Sequence, residues 1–231
     1  MCAHKPISYL IAACLVVAFN VPSPAAEGTT PAVEIAAQPG TPVRITNFRF
    51  DASGGAMIAF QYDVQNKSGQ GLLAVEVHWE AQTGETSNTF PNRSDNWLTG
   101  QLAADHSEHF QVSNVANFPR QPLTHLVGTI AYVELEDGTQ FGTDAAEIGK
   151  QIDAARRAVT ASYAKLLDTF NSGGSEALTQ ALKLQSAVRG QDPAVQEATG
   201  RLVGILDDQG VDAVVKELQR VATLSIPEAH P

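Results

Sequence analysis

The stretch Leu72-Leu73-Ala74-Val75-Glu76-Val77-His78-Trp79-Glu80-Ala81-Gln82 repeats with a period of two. Leu73, Val75, Val77 and Trp79 are apolar, and Glu76, His78 and Glu80 fall between them. Successive side chains of a strand point to opposite sides, so the alternation predicts a half-buried strand with one apolar and one polar face. The same period appears upstream, where Ile58, Phe60, Tyr62 and Val64 alternate with polar Gln61 and Asp63. Val43 to Phe50 shifts parity, from Val43 and Ile45 to Phe48 and Phe50. A bulge near Asn47 would return both halves to one face. Downstream, residues 108–112 form a weaker strand pattern. Residues 126–135 are apolar on both parities, as in a central strand covered on both sides. Asn66 to Gly71 is a turn, and Glu136-Asp137-Gly138-Thr139 is a hairpin turn returning into 140–142. This density of short strands and turns predicts an antiparallel, Ig-like β-sandwich over 43–142.

At Thr143 the period changes. Ile148, Ile152, Ala155, Val159, Tyr163, Leu166 and Phe170 follow at steps of three or four, an apolar stripe on a helix over 145–171. Asn171-Ser172-Gly173-Gly174 reads as its stop, and Ser175 to Arg189 as a second helix. Asp192-Pro193 is a cap followed by a first-turn proline and opens a third helix, which Gly210 ends. Val211 to Leu224 gives a fourth. A shift of 36 residues brings Leu166 onto Leu202, Gly174 onto Gly210 and Leu182 onto Leu218, a pattern of two helical hairpins built alike. The expected class is therefore α+β, a sandwich followed by a helical region over 143–226 and a short tail, 227–231.

The chain has 231 residues, a net charge of −10 and 17 % charged residues. Its hydrophobic fraction of 43 % supports a packed core rather than disorder. Acids outnumber bases, which disfavours nucleic acid and anionic membrane surfaces as partners. The acids concentrate in 27–142, with thirteen acids against five bases. Residues 1–26 read as a signal peptide: His4 and Lys5, an apolar run from Ile7 to Val21, then small residues for cleavage near Ala25 or Ala26. The rival reading makes Ile11-Ala12-Ala13-Cys14 a lipobox, but the apolar run continues past Cys14. Cleavage would remove Cys2 and Cys14, the two cysteines of the chain, and with them disulfide and thiolate chemistry. No later stretch is apolar enough to cross a membrane. Residues 27–42, rich in Pro, Gly, Thr and Ala, read as a flexible linker.

Several constellations offer chemistry. Glu76, His78 and Glu80 share one face of a strand at spacings of two, within reach of a shared divalent ion. The competing reading is the solvated face opposite Val75, Val77 and Trp79. Asp105-His106-Ser107-Glu108-His109 is the densest group of potential ligands, yet alternation places His106 with Glu108 and His109 with Ser107. The preferred reading is a polar edge strand, whose charges discourage unwanted pairing. Phe90 to Trp97 reads as a Pro-, Asn- and Ser-rich loop, in which Phe90, Arg93 and Trp97 form a candidate binding site. Trp97 could instead fold back to cap the sandwich core. Asn66-Lys67-Ser68 and Asn92-Arg93-Ser94 are N-glycosylation sequons. Asp207 to Asp212 lacks the spacing of a calcium loop, and no nucleophile elbow, zinc-protease pair or phosphate loop occurs.

Three segments come in a familiar order: Val43-Arg44-Ile45-Thr46-Asn47-Phe48, then Phe60 to Ser68 leading into Val75-Glu76-Val77, then Tyr132 to Gly142. Together they resemble the small Ig-like sandwiches of bacterial exported proteins of the FxLYD group. The resemblance covers 43–142 and implies a fold with no catalytic set and no cofactor. The function expected is a non-enzymatic binding or scaffolding role in the cell envelope or outside the cell, with a protein or envelope component as partner. The alternatives are a metal-dependent or hydrolytic enzyme using His78, His106 and His109, and an oligomerisation module built on the long helix.

Overall fold

The structure is a computed structural model that describes residues 31–36, 40–50, 59–112 and 123–226. The expected signal peptide, Cys14, Ile58 and the tail lie outside the described residues. Along the chain come β1 (Ala32–Ile35), β2 (Val43–Phe50), β3 (Phe60–Asn66), β4 (Leu72–Thr83), β5 (Thr86–Asp95), β6 (Ser107–Val112), β7 (His125–Leu135) and β8 (Gln140–Phe141). Three helices follow: α1 (Ala145–Ala187), α2 (Pro193–Gln209) and α3 (Val211–Ala222). The class is mixed α+β, as the two periods predict.

The strands form two sheets. One runs β1-β7-β4-β5, with β8 also on β7; the other runs β2-β3-β6. The alternating residues of β3, β4 and β6 meet between the sheets, where Phe60, Tyr62, Val64, Phe110 and Val112 pack on Val75, Val77 and Trp79. The Trp79 ring lies 4.8 Å from Phe60, 5.0 Å from Tyr62 and 5.4 Å from Phe48. Gly128, its cross-strand neighbour on β7, makes room: a Cβ there would stand 2.6 Å from the indole. The expected bulge in β2 is present. Its register shifts between Thr46 and Arg49, and Asn47 has a φ of 52°. Ile45, Phe48 and Phe50 thereby all reach the same core.

β7 is covered on both sides, as its double parity predicts. Leu126, Ile130, Val133 and Leu135 face the core between the sheets, while Ala131 and Tyr132 pack on Ile148 and Ile152 of α1. The pairing slips by one residue here, from Tyr132 opposite Glu76 to Ile130 opposite Val77, so Ala131 and Tyr132 both turn toward the helix.

The structure corrects three expectations. Within 43–142 the described strands all pair antiparallel, as expected; the larger sheet is mixed because β1, from outside that range, pairs with β7 in parallel. That strand lies within the linker expected over 27–42; all four of its side chains are exposed, so backbone pairing, invisible to hydropathy, creates it. The segment expected as a loop over 90–97 is strand as far as Asp95. Twelve-residue β4 templates it, and Pro91 is tolerated because β5 is a sheet edge. Finally, among the described residues there are three helices rather than four: the expected stop at Asn171–Gly174 is present as a non-helical break at Gly174 that reverses the chain, and α1 runs through it.

That reversal is local to Gly174, with φ 71° and ψ −163° inside an otherwise helical run. Gln185 Nε2 donates to Ser162 Oγ at 2.6 Å. In a straight helix those residues would stand about 35 Å apart. Gly210, between α2 and α3, has nearly the same backbone, φ 84° and ψ 178°. Leu166 and Leu202, Leu178 and Val214, and Leu182 and Leu218 are all buried, each pair 36 residues apart. Asp192 caps α2, accepting from the Ala194 amide at 2.9 Å ahead of Pro193. Among the described residues no helix is long and apolar enough to cross a membrane.

The backbone region of Gly174 and Gly210 is almost closed to residues with a Cβ. Gly174→Ala and Gly210→Ala are each expected to cost about 1–3 kcal/mol of stability. Gly200→Ala, on the open flank of α2, is expected to add up to about 1 kcal/mol. Urea unfolding of the three variants distinguishes strained from ordinary helical glycine.

Candidate functional site

The polar face of the larger sheet is where the two kinds of structure join. On it Arg93 of β5 lies opposite Glu76 of β4, which in turn lies opposite Tyr132 of β7. Asp95 and Glu134 flank Ala74 in the next row. α1 lays Ile148, Ile152 and Arg156 over this face. Arg156 is 1 % exposed. Its Nη2 lies 2.8 Å from Asp95 Oδ1 and 2.8 Å from Glu134 Oε2. Nη1 donates to Glu134 Oε1 at 2.9 Å, and Nε to Asp95 Oδ2 at 3.1 Å. The Tyr132 hydroxyl completes the network by donating to Glu134 Oε2 at 3.2 Å.

Burial opposes the charge on Arg156, but hydrogen bonds and attraction from Asp95 and Glu134 outweigh it and hold the guanidinium above its ordinary range. Burial first, and then the Glu134 charge, push the Tyr132 phenol above its own range, so Tyr132 is a neutral donor. The stripe read from sequence passes over Arg156, although it stands four residues after Ile152 and three before Val159. A lone cation inside an apolar stripe is the signal that would have found it.

A second joint lies beyond β5. Trp97 is buried among Val159, Tyr163, Leu202 and Leu218, and its Nε1 donates to the Ser225 carbonyl at 3.1 Å. It therefore plugs the helical core; it neither caps the sandwich core nor stands free. The next carbonyl, Leu98, accepts from Arg220 and Arg201. Both arginines also hold Glu217 at 2.7 Å. Arg220, then Arg201, keep the Glu217 carboxyl below the usual carboxylate range, although burial acts the other way.

Between the two joints opens a cleft of about 480 Å³. Ile152, Ala155, Val159, Ala194 and Ala198 supply apolar lining, and Arg93, Asn96, Glu197 and Arg201 supply polar groups. Of the binding residues expected from sequence, Arg93 and Trp97 line this cleft and Phe90 does not. Phe90 packs on the core between the sheets, opposite Trp79. Arg93 pairs with Glu76 through Nε and donates from Nη2 to Gln151 Oε1 of α1 at 3.2 Å.

The candidate metal ligands are spread apart. The face of Glu76 and His78 is the docking surface of α1, not the solvated face considered above. Glu76 is 3 % exposed, with His78 Nε2 2.6 Å from its Oε1. Glu80 instead accepts from Ser87 at 2.6 Å. His109 lies on the other sheet, 2.8 Å from Asp63, and His106 Nδ1 lies 3.0 Å from the Ala104 carbonyl. Glu108 points across to β5, accepting from Ser94 at 2.5 Å and Asn96 at 2.9 Å, so alternation splits the cluster as the sequence indicates. Among the described residues no group of three or more His, Cys, Asp or Glu is placed to hold a metal ion. The sequon at Asn66 is also spoken for. Its side chain is buried, donates to the Gln70 and Leu102 carbonyls, and accepts from Ser68 Oγ.

Removing Arg156 would strand a buried Glu134. Arg156→Met is expected to destabilise the chain by about 3–5 kcal/mol, and adding Glu134→Met to recover part of the loss. Urea midpoints of the single and double variants measure both. Because Glu217 has a lowered value, its contribution is complete above the ordinary carboxylate range and is lost as pH falls through that lowered value. Glu217→Gln is expected to be less stable than the parent chain at pH 7, with the difference shrinking as pH falls below the ordinary carboxylate range. Denaturation at pH 7 and pH 3 reads that convergence.

No protein-family model matches the chain. No curated protein matches it. Among solved structures, a 1.85 Å X-ray structure of a hypothetical protein from Peptoclostridium difficile 630 is similar over 49 % of this chain and 92 % of its own, at 8 % identity and a TM-score of 0.35. A likeness that low carries no argument about fold or function.

Proposed function

We propose that this chain is an exported, non-enzymatic binding protein that takes a short segment of a partner polypeptide in the cleft between β5 and the helices. The observation that carries the reading is the cleft itself: about 480 Å³, lined by apolar side chains and by charged groups that include Arg156 and Asp95, at the junction of two packed cores. Sites of that size and composition, at such junctions, suit small ligands and peptide side chains. β5 is the edge of its sheet, which favours an extended ligand running beside it. Export rests on the leader-like composition of 1–26, and the partner is then an envelope or extracellular protein. The Ig-like identity of the sandwich belongs to the same proposal. So does a shared 36-residue origin for the helical hairpins, supported by the matching backbones at Gly174 and Gly210.

Selection of a random-peptide library on the immobilised chain tests the reading. Enriched peptides are expected to share an apolar anchor residue and to lose binding to Ala155→Trp, which fills the cleft. Failure to enrich any sequence, or enrichment indifferent to Ala155→Trp in a folded variant, overturns it.

A further inference from the structure

β1 is attached in an unusual way. Ala32, Val33, Glu34 and Ile35 are all exposed, Val33 at 38 % and Ile35 at 39 %. No side chain of the strand enters a core. It is held by its parallel ladder to residues 125–128 and by two flanking backbone bonds, Ala32 N to Thr124 O at 3.1 Å and Ala36 N to Gly128 O at 2.9 Å. Among the described residues one side-chain contact accompanies them, His125 Nε2 to Glu34 Oε2 at 3.6 Å, on the surface. A segment that orders its backbone without burying apolar surface sits at the low-stability end of a structure and opens on its own.

The edge that receives it is built differently. Residues 125–128 begin an eleven-residue strand that is paired along its other side with β4 and carries fully buried Leu126. When β1 leaves, this edge keeps its shape and presents unpaired N–H and C=O groups in the same register. Between Ala36, which leaves with the strand, and Pro42, whose carbonyl accepts from the Lys67 amide at 2.7 Å, the chain has five residues, 37–41. Extended, they reach about 17 Å. The strand can therefore leave without disturbing β2 and the core it serves.

We propose that two copies of this chain exchange β1, each strand pairing with residues 125–128 of the other copy. The occupant is fixed by the receptor: the edge is complementary, in register, to a segment every copy carries. Exchange re-forms in the dimer the contacts the monomer already makes, the condition under which strand swapping is easy. This surface lies apart from the cleft, so the inference stands independently of the proposed function.

Cross-linking tests it in a background with Cys2→Ser and Cys14→Ser. Ala32 and His125 are direct cross-strand partners, a spacing a disulfide spans. Ala32→Cys is placed in one chain and His125→Cys in another carrying a mass tag. After mixing and mild oxidation, the mixed disulfide dimer is expected to rise with protein concentration. It should exceed several-fold the yield with Lys183→Cys in place of His125→Cys. Both cysteines in one chain should close within the chain at low concentration and between chains at high concentration. A mixed-dimer yield equal to the Lys183→Cys control, with internal closure intact at every concentration, overturns the proposal. Absence of internal closure at low concentration overturns it as well, since β1 would then not lie on β7.

Discussion

Arg156 carries a full positive charge into a place with almost no water, and two strands of a sheet must meet it there. Its partners come from opposite flanks of β4: Asp95 at the end of β5 and Glu134 near the end of β7. The backbone ladders through β4 set the spacing of those strands, and the guanidinium that bridges them sets where α1 sits above them. A buried pair of this kind adds little net stability against an apolar replacement, because desolvation of the charges offsets their attraction. Its consequence is geometric. Few placements of α1 satisfy both carboxylates, so the helix docks in one register.

Given that register, the remaining contacts are constrained. Ile148 and Ile152 meet Ala131 and Tyr132 because a one-residue slip in β7 turns both toward the helix. Trp97, two residues beyond Asp95, then reaches the helical core rather than the sandwich core, and Leu98 meets Arg201 and Arg220. The cleft is the space left between these two anchorages. It exists because β5 ends at an ion pair and the chain then turns away into the helices.

Much of this was legible. Period two gave β3, β4 and β6 their faces. The parity shift placed the bulge at Asn47, and double parity marked β7 as central. For the site, legibility was partial. Arg93 and Trp97 stood out by residue type, and both line the cleft, yet Phe90 in the same segment belongs to the sandwich core. Alternation told which face Phe90 occupies only once β5 was known to be a strand. Its polar, Pro-containing residues give no strand signal; the partner strand supplies the order. The same holds for β1, whose four side chains touch no core. A strand pattern reports two faces but not what covers the second, so it leaves Glu76 on a solvated or metal-holding face although that side chain is buried.

The sequence by itself determined the two periods, the point where one gives way to the other, and the glycines at which the helices reverse. These are local properties, set by side-chain spacing and by backbone angles that only glycine adopts readily. Tertiary structure alone decided that the polar face of the sheet lies under α1, that Arg156 finds two carboxylates there, and that a tryptophan from a β edge fills a helical core. Those contacts join residues 22 to 128 positions apart. No periodicity encodes them, because they depend on which surfaces are brought together once each unit has already formed.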